Sequence, residues 1–350
     1  MEQHLYNKVS IVIPVLNEKK NLEILLPKLQ EYNLIIVDDS SSDGTAELCL
    51  AQKNVLFIER DRKMGLVSAI LEGFKQSESS YSYLVTLDSD ISHDPENIKA
   101  MIERAVQENK DLVIGSRYVR GGSSEDSLFR KTLSIGANLL YRIAFSAKIR
   151  DATSGFRVYS RDLAEFLLKE NKEDPISPSY AGQIDIINRA VKAGFSVGEY
   201  PIKFRKRKEG ESKLRLEDVI SYLKLVASRG YLMRYVLVGI SGVIINELLL
   251  KAFLGLIGNM SEVIAVEASV LSNFVLNDRI TFRASEHRNG GYVFRMMKYN
   301  FFNLGGIGIN ILIFLALISY RITPLLANFI GIVAAFIFTY TMSIKVVWRR

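Results

Sequence analysis

Hydrophobic residues follow two regimes along this chain. From about residue 9 to residue 200, short apolar runs alternate with stripes of helical period, and after about Tyr231 charge becomes sparse and apolar runs become long. Val9 to Pro14 reads as a strand closed by proline, with Asn17 and Glu18 in the loop that follows. Leu22, Leu25, Leu26 and Leu29 predict a helix over Asn21 to Glu31. Leu34 to Val37 is a second buried strand ending at Asp38 and Asp39, and the turn Ser40 to Thr45 caps a helix through Leu50. Strands at Val55–Ile58, Tyr83–Leu87 and Asp111–Ile114 alternate with helices at Gly65–Phe74 and Glu96–Val106. This alternation predicts a doubly wound, mostly parallel sheet, on which ligands sit at the C-terminal strand ends.

The long runs Tyr235–Ile257, Val263–Phe282, Phe301–Tyr320 and Leu325–Val347 each approach the ~20 residues that a bilayer requires. They predict a four-helix transmembrane domain over 231–350, behind a first domain over 1–230. Two amphipathic stretches join the picture. In 125–148, Leu128, Leu133, Ile135, Leu139, Leu140, Ile143 and Phe145 form an apolar stripe beside Arg130, Lys131, Arg142 and Lys148. Such a helix lies in a membrane interface, the alternative being ordinary packing, and 215–230 repeats the pattern. Arg283, Arg288, Arg295 and Lys298 crowd one loop, and Lys345, Arg349 and Arg350 the last residues, so the positive-inside rule places the first domain and the C-terminus in the cytoplasm. Within the spans, Glu247 and Lys251 are four apart and are expected to neutralise each other. Hydrogen bonds between helices account for Asn246, Glu267, Asn273, Asn300, Asn303 and Asn310.

Composition narrows the partners. The 350 residues carry a formal net charge of +7. The cations gather at Lys203, Arg205, Lys206, Arg207, Lys208, Lys213, Arg215, Arg229 and Arg234 without a nucleic-acid motif, which points to a lipid bilayer or lipid phosphate and away from nucleic acid. The one cysteine, Cys49, excludes an internal disulfide and suits a reducing compartment. Met1 to Lys8 is polar and no cleavable signal is visible, so the first domain is expected to stay on the side where it is made.

Candidate chemistry centres on the strand Tyr83–Leu87, which stops at Asp88 and Asp90. Two carboxylates one residue apart at a strand end suit a hard cation such as Mg²⁺ or Mn²⁺, whose shell phosphate oxygens complete; the alternative is a solvated acidic turn. Asp38, Asp39, Asp88, Asp90 and the loop Pro14 to Glu18 all fall at C-terminal strand ends and should therefore converge on one crevice. A nucleotide with its metal is the natural occupant, with Asp38 or Asp39 accepting from ribose or base.

Pro14-x-x-Asn17-Glu18, Asp38-Asp39-x-Ser-x-Asp43-Gly44-Thr45, Gly65-Leu66-x-x-Ala69, Asp88-x-Asp90 and Gly115-Ser116-Arg117-Tyr118 together resemble family 2 glycosyltransferases. More narrowly the chain resembles polyprenyl-phosphate (dolichol-phosphate) hexose synthases. Ser154-Gly155-Phe156, Gln183-Ile-Asp185 and Phe204-x-x-Arg207-x-x-Gly210-x-Ser212-Lys213 continue the match. Where many mannose-type members resemble Gln-His-Pro-Pro-Glu, this chain has Ser92-His93-Asp94-Pro95-Glu96. The resemblance implies an α/β GT-A domain (Rossmann-like, mostly parallel), followed by the interfacial helices and the four spans, which resemble a GtrA-type membrane domain. It implies a donor site at Pro14, Val15, Asn17, Glu18, Asp38, Asp39, Gly65, Asp88, Ser89 and Asp90, with Asp88 and Asp90 as metal ligands. It also implies lipid-phosphate contacts at Arg117, Arg130, Ser134, Arg207 and Lys213, and a catalytic role for Asp88, Asp90, Arg117 and Asp185. The expected reaction moves a hexose, mannose from GDP-mannose, onto dolichyl or polyprenyl phosphate with inversion. UDP-glucose as donor is one alternative; a lipid-carrier translocase or scaffold with a degenerate transferase domain is another.

Overall fold

The computed structural model describes residues 9–78, 80–145, 147–205, 216–258, 260–282 and 291–348. Arg207 and Lys213 lie outside these residues. Two compact units emerge: one of 1–143 and 147–225, the other of 144–146 and 226–350.

In the first unit, strands β1 (Val9–Val15), β2 (Asn33–Asp38), β3 (Val55–Glu59), β4 (Tyr83–Thr86), β5 (Leu112–Ser116), β7 (Arg157–Ser160) and β8 (Val197–Pro201) form one sheet ordered β3-β2-β1-β4-β7-β5-β8. All neighbours are parallel except β7, which runs antiparallel between β4 and β5. Short β6 (Ser123–Ser124) pairs with β9 (Lys203–Phe204). The connecting helices are α1 (Lys19–Leu25), α2 (Thr45–Leu50), α3 (Leu66–Gln76), α4 (Asn97–Gln107), α5 (Leu128–Phe145), α6 (Arg161–Glu173) and α7 (Tyr180–Lys192).

The strands are apolar almost throughout because both sheet faces are covered. Ile11, Ile13, Leu34, Ile36, Val85 and Val113 pack with Leu22, Leu25, Ile98 and Met101 in a fully buried core. The expected helix to Glu31 ends instead at Leu25 and continues as a short 3₁₀ turn, Leu26–Lys28. Pro27 has no N–H to donate to Glu23, so the α-ladder cannot pass it.

The inserted strand β7 decides where the chemistry sits. Because it runs backwards, the residues that enter it, 151–156, arrive at the C-terminal ends of β4 and β5. The antiparallel strand thereby delivers a loop to the edge where parallel strands place their ligands.

In the second unit, α9 (Tyr231–Ile257), α10 (Met260–Leu276), α11 (Tyr292–Ser319) and α12 (Pro324–Met342) follow α8 (Leu216–Arg229), which begins in the first. Among the described residues, three helices are long and apolar enough to cross a membrane, at Tyr231–Ile257, Tyr292–Ser319 and Pro324–Val347. The expected span Val263–Phe282 is shorter: α10 has 17 residues and gives way to a π-helical turn, Asn277–Thr281. Its polar end explains the change. Asp278 is buried against Arg295 at 3.0 Å and accepts the Trp348 indole N–H at 2.8 Å. Trp348 stacks on Phe282 and meets Phe274 and Tyr299. A second π turn, Ser343–Val347, ends α12.

The expected Glu247–Lys251 pairing is not formed: both side chains are exposed, and among the described residues no ion pair joins them. Glu267 accepts from Asn300 at 3.3 Å, as an inter-helix contact should.

One tight approach in the first unit makes a test. A Cβ at Gly73 on α3 would meet Val12 Cγ1 on β1 at 2.3 Å. Gly73→Ala is therefore expected to overpack the helix against the sheet by about 1–3 kcal/mol, read as a fall of several degrees in the thermal midpoint.

Candidate active site

Three adjacent parallel strands end in the same unusual way. Asn17 beyond β1, Ser40 beyond β2 and Ile91 beyond β4 all have left-handed backbone, with φ of 54°, 67° and 61°. Asn and Ser tolerate this readily; for a β-branched, buried isoleucine it is a true outlier, of the kind that gathers at functional sites. The turn at Ile91 brings Ser92 back onto Asp90, whose Oδ1 accepts from the Ser92 N–H at 3.1 Å and from its hydroxyl.

The β1 and β2 loops are stitched together. Asn17 N–H donates to Ser41 Oγ at 2.7 Å, and Asn17 Oδ1 accepts from Ser42 N–H at 2.8 Å. Glu18 N–H donates to Thr45 Oγ1 and Lys19 N–H to Asp43. Pro14 and Val15 sit in register with Val37 and Asp38. Leu87 N–H reaches Val12 O, so the β4 end lies next to the β1 end. The expected convergence of Asp38, Asp39, Asp88, Asp90 and the 14–18 loop is thus present as a row of neighbouring strand ends.

Several of these groups are occupied within the chain. Asp38, expected to face a ribose or base, is fully buried and accepts from the Ser41 N–H and hydroxyl three residues on. Asp39 accepts from Gly65 N–H at 3.1 Å and pairs with Arg60, so it tethers the start of α3. Asp185 is buried on α7 and holds Arg189 at 3.0 Å, which also reaches Asp174 and Glu170. Its Oδ2, on a residue expected to contact a sugar hydroxyl or the acceptor, is engaged in this internal ion pair. Sequence spacing places a carboxylate at a strand or helix end but does not show which neighbour has already taken it.

Asp88 is the more open acid, about a third exposed, while Asp90 is buried. A Cβ at position 155 would come within 2.9 Å of Asp88 Oδ1, so glycine there keeps space beside the carboxylate. Thr86 holds the same glycine by donating to Gly155 O at 2.7 Å. Two carboxylates on one turn are the donor chemistry of a hard divalent ion, which takes oxygen ligands.

Arg117, at the end of β5, is tied down by Asp151. Its Nε and Nη2 donate to the two carboxylate oxygens at 2.8 Å each, and its backbone N–H donates to Oδ2 at 2.9 Å. Nη2 also donates to Thr153 Oγ1 at 2.7 Å and Ser134 Oγ at 3.2 Å, and Nη1 lies 3.8 Å from Asp126. Burial pushes the Arg117 pKa down, but the Asp151 contact outweighs it and the net shift is upward. Burial likewise pushes Asp151 up, and the Arg117 contact holds it below the ordinary carboxylate value. Arg117 and Ser134, both expected at the acceptor phosphate, thus belong to one buried network. Arg130 is exposed on α5, beside Leu128 at 81% and Phe129 at 78% exposure.

The link between the two halves is His93. It is buried, with Nδ1 3.7 Å from Asp88 Oδ2. Burial lowers its pKa below 6.5 against the opposing pull of Asp88 and Asp90, so the ring is neutral at neutral pH; it also feels the charges of Arg117 and Asp151. One imidazole therefore senses both the acidic turn and the Arg117–Asp151 pair. His93, Asp151, Thr153 and Arg60 were not among the expected site residues. His93 matches the histidine of the Gln-His-Pro-Pro-Glu pattern, which was a signal for the first, whereas Asp151 gave none, because its partner lies 34 positions away.

A mostly parallel α/β sheet with an acidic turn at the end of a central strand is the arrangement of the GT-A class of sugar transferases. Residues 10–168 match Glycosyl transferase family 2, and residues 234–348 match the GtrA/DPMS transmembrane domain. The chain is 34% identical over 363 residues to the dolichol-phosphate mannosyltransferase of Pyrococcus furiosus, covering 97% of this chain and 99% of that one. It is 37% identical to the polyprenol monophosphomannose synthase of Mycolicibacterium smegmatis, covering 63% and 86%. Among solved structures, S. aureus TarS 1–349 is similar with a TM-score of 0.42 and 16% identity, covering 79% and 82%. The chain belongs to glycosyltransferase family 2 and is a membrane glycosyltransferase with a GtrA/DPMS transmembrane domain. Enzymes of this family generally use a divalent metal ion.

The Arg117–Asp151 pair is directly testable. Asp151→Asn leaves a buried guanidinium without its counter-charge and should destabilise the protein by about 3–5 kcal/mol at pH 7. Asp151 has a depressed pKa, so its contribution is complete above the unfolded carboxylate pKa of about 4 and is lost as pH falls through the folded value. The gap between wild type and variant in denaturation midpoint should therefore narrow below about pH 4.

Proposed function

We propose that the enzyme transfers mannose from GDP-mannose to the phosphate of a polyprenol such as dolichol, with inversion, giving a β-linked lipid-phosphate sugar. The observation that carries this reading is the near end-to-end match, in both domains, to a protein named dolichol-phosphate mannosyltransferase. The geometry supports it: the acidic turn and the Arg117–Asp151 pair both act on one buried imidazole.

The lipid phosphate is already anionic at neutral pH and needs no strong base. Its oxygen bonds to the anomeric carbon as the bond from that carbon to the nucleoside diphosphate breaks, with the electron pair leaving on the diphosphate. One displacement inverts the centre. The protein's task is placement and charge compensation. Asp88 and Asp90 would hold Mg²⁺ or Mn²⁺, whose chemistry when bound is to neutralise the departing diphosphate. Gly155 leaves the room this requires. Pro14, Val15, Asn17, Glu18, Gly65 and Ser89 line the donor side, where Asp38 and Asp39 fix the loops that frame the nucleotide.

On the acceptor side, Arg130 is a cation exposed near the start of α5 and open to a phosphate. Arg117, clamped by Asp151, presents a fixed charge from Nη1 and keeps Ser134 in place. Arg207 and Lys213 would add charge from the segment after β9. The exposed apolar face of α5, Leu128, Phe129, Leu133, Ile135 and Leu139, suits a membrane interface and a lipid acceptor. Arg295, Lys298 and Lys345 mark one end of the helical unit, which supports a cytoplasmic site for that end and for the first domain.

Asp90→Ala is expected to reduce transfer of labelled mannose to polyprenyl phosphate by at least ~100-fold while the protein still extracts from membranes as a folded monodisperse species. Wild-type turnover in this variant would refute the metal assignment. Arg130→Ala should raise the apparent KM for the lipid phosphate about tenfold and leave that for GDP-mannose unchanged. A change confined to the nucleotide would place Arg130 elsewhere.

A further inference from the structure

The segment Ile202–Arg205 crosses between the two halves of the site. At one end, Ile202 N–H donates to Ser116 O at 3.0 Å and Ser123 N–H donates to Ile202 O at 3.0 Å, beside Arg117. At the other, Arg205 N–H donates to Ser92 O at 2.9 Å and the Arg205 guanidinium meets Asp94, beside His93. Between these anchors lies the ring of Phe204. Its centroid is 5.2 Å from that of His93 in an edge-to-face contact, and the Arg117 guanidinium carbon sits 5.2 Å over its face. His93 in turn touches Phe156 at 5.2 Å and approaches Asp88. A single aromatic ring thus spans from the neighbour of the donor carboxylate to the cation of the acceptor cluster.

We propose that Phe204 is a positioning residue that holds the acidic turn at Asp88 and the Arg117 cluster at one fixed separation, so that two substrates bound independently are aligned for in-line displacement. This rests on the transfer reaction assigned above. An edge-to-face imidazole contact and a cation–π contact both demand a flat ring with a negative face; an aliphatic side chain of similar volume fills the space but meets neither demand. The two backbone anchors keep the segment in place whatever side chain stands at 204. Loss of the ring should therefore change alignment and leave binding intact, a distinction that steady-state kinetics can read.

The test compares Phe204→Leu and Phe204→Tyr with wild type as full-length protein in detergent. For Phe204→Leu, kcat is expected to fall on the order of tenfold or more while KM for GDP-mannose and for polyprenyl phosphate stay within about twofold, because misplacement of bound reactants acts on the chemical step. Phe204→Tyr, which keeps the ring, should restore most of kcat. Unchanged kcat in Phe204→Leu, or a loss carried by either KM, overturns the proposal. A second readout needs no turnover: GDP with Mg²⁺ should slow hydrogen exchange at the amides of residues 115–118 in wild type and leave them unchanged in Phe204→Leu. Equal slowing in both proteins, or none in wild type, overturns the coupling even where transfer is measured. Slowing that is lost in the variant, in a preparation that transfers no mannose, leaves the coupling standing and overturns the assigned reaction instead.

Discussion

A single buried carboxylate organises the Arg117 side of the candidate site. Asp151 receives three hydrogen bonds from Arg117, and its own N–H donates to Glu199 on β8 at 2.9 Å. Asn138 on α5 approaches the same carboxylate at 3.4 Å and accepts the N–H of Ala152 at 2.8 Å. One acid therefore ties together the end of β5, the strand β8, the helix α5 and the loop that enters β7. Desolvating two charges is expensive, and such a pair often contributes little net stability over an apolar replacement. Its value here is geometric: bidentate guanidinium–carboxylate contact allows one orientation, so the cation points where the loop directs it.

The acidic side is built on a different principle. Left-handed residues beyond β1, β2 and β4 turn the chain sharply at the sheet edge, so three neighbouring strands end there in tight loops. The antiparallel β7 is what joins the halves. Had it run parallel, its entry loop would emerge at the opposite sheet edge, and Gly155 could not lie against Asp88. The buried, neutral His93 completes the junction, with Nδ1 3.7 Å from Asp88 Oδ2.

Periodicity and strand-end chemistry made much of this readable in advance. The alternation of apolar runs with helical stripes implied the mostly parallel sheet, and the acids at strand ends implied one crevice, because both follow from local sequence. Pro27 was visible too, yet the leucine stripe around it argued for a longer helix than the backbone can form. What stayed hidden was non-local. Nothing near Arg117 announces Asp151, no pattern distinguishes β7 as the reversed strand, and a short buried run such as Arg157–Ser160 carries no direction. Asp38, Asp39 and Asp185 illustrate the same limit: their positions were legible and their partners were not. In the helical unit, hydropathy counted Asn277–Thr281 as part of a span, although Asp278 sits there, since averages over a window hide one buried charge.

That charge has its own logic. Helix directions alternate, so the start of α11 and the ends of α10 and α12 lie at one end of the unit, where Asp278, Arg295 and Trp348 interlock. A π turn widens the helix by one residue per turn, and both turns here carry an i to i−5 bond, Phe282 to Asn277 and Trp348 to Ser343. The extra width swings Phe282 and Trp348 into stacking contact and brings the indole N–H onto Asp278. With Arg295 on the other side, the carboxylate has both a counter-charge and a neutral donor, so a buried acid is tolerated where an isolated one would not be. Removing the π turns would rotate Trp348 away by most of a helical step and leave the aspartate dependent on Arg295 alone. The polar end of this unit is therefore a consequence of helix geometry as much as of charge, and the two π turns and the three interlocked side chains stand or fall together.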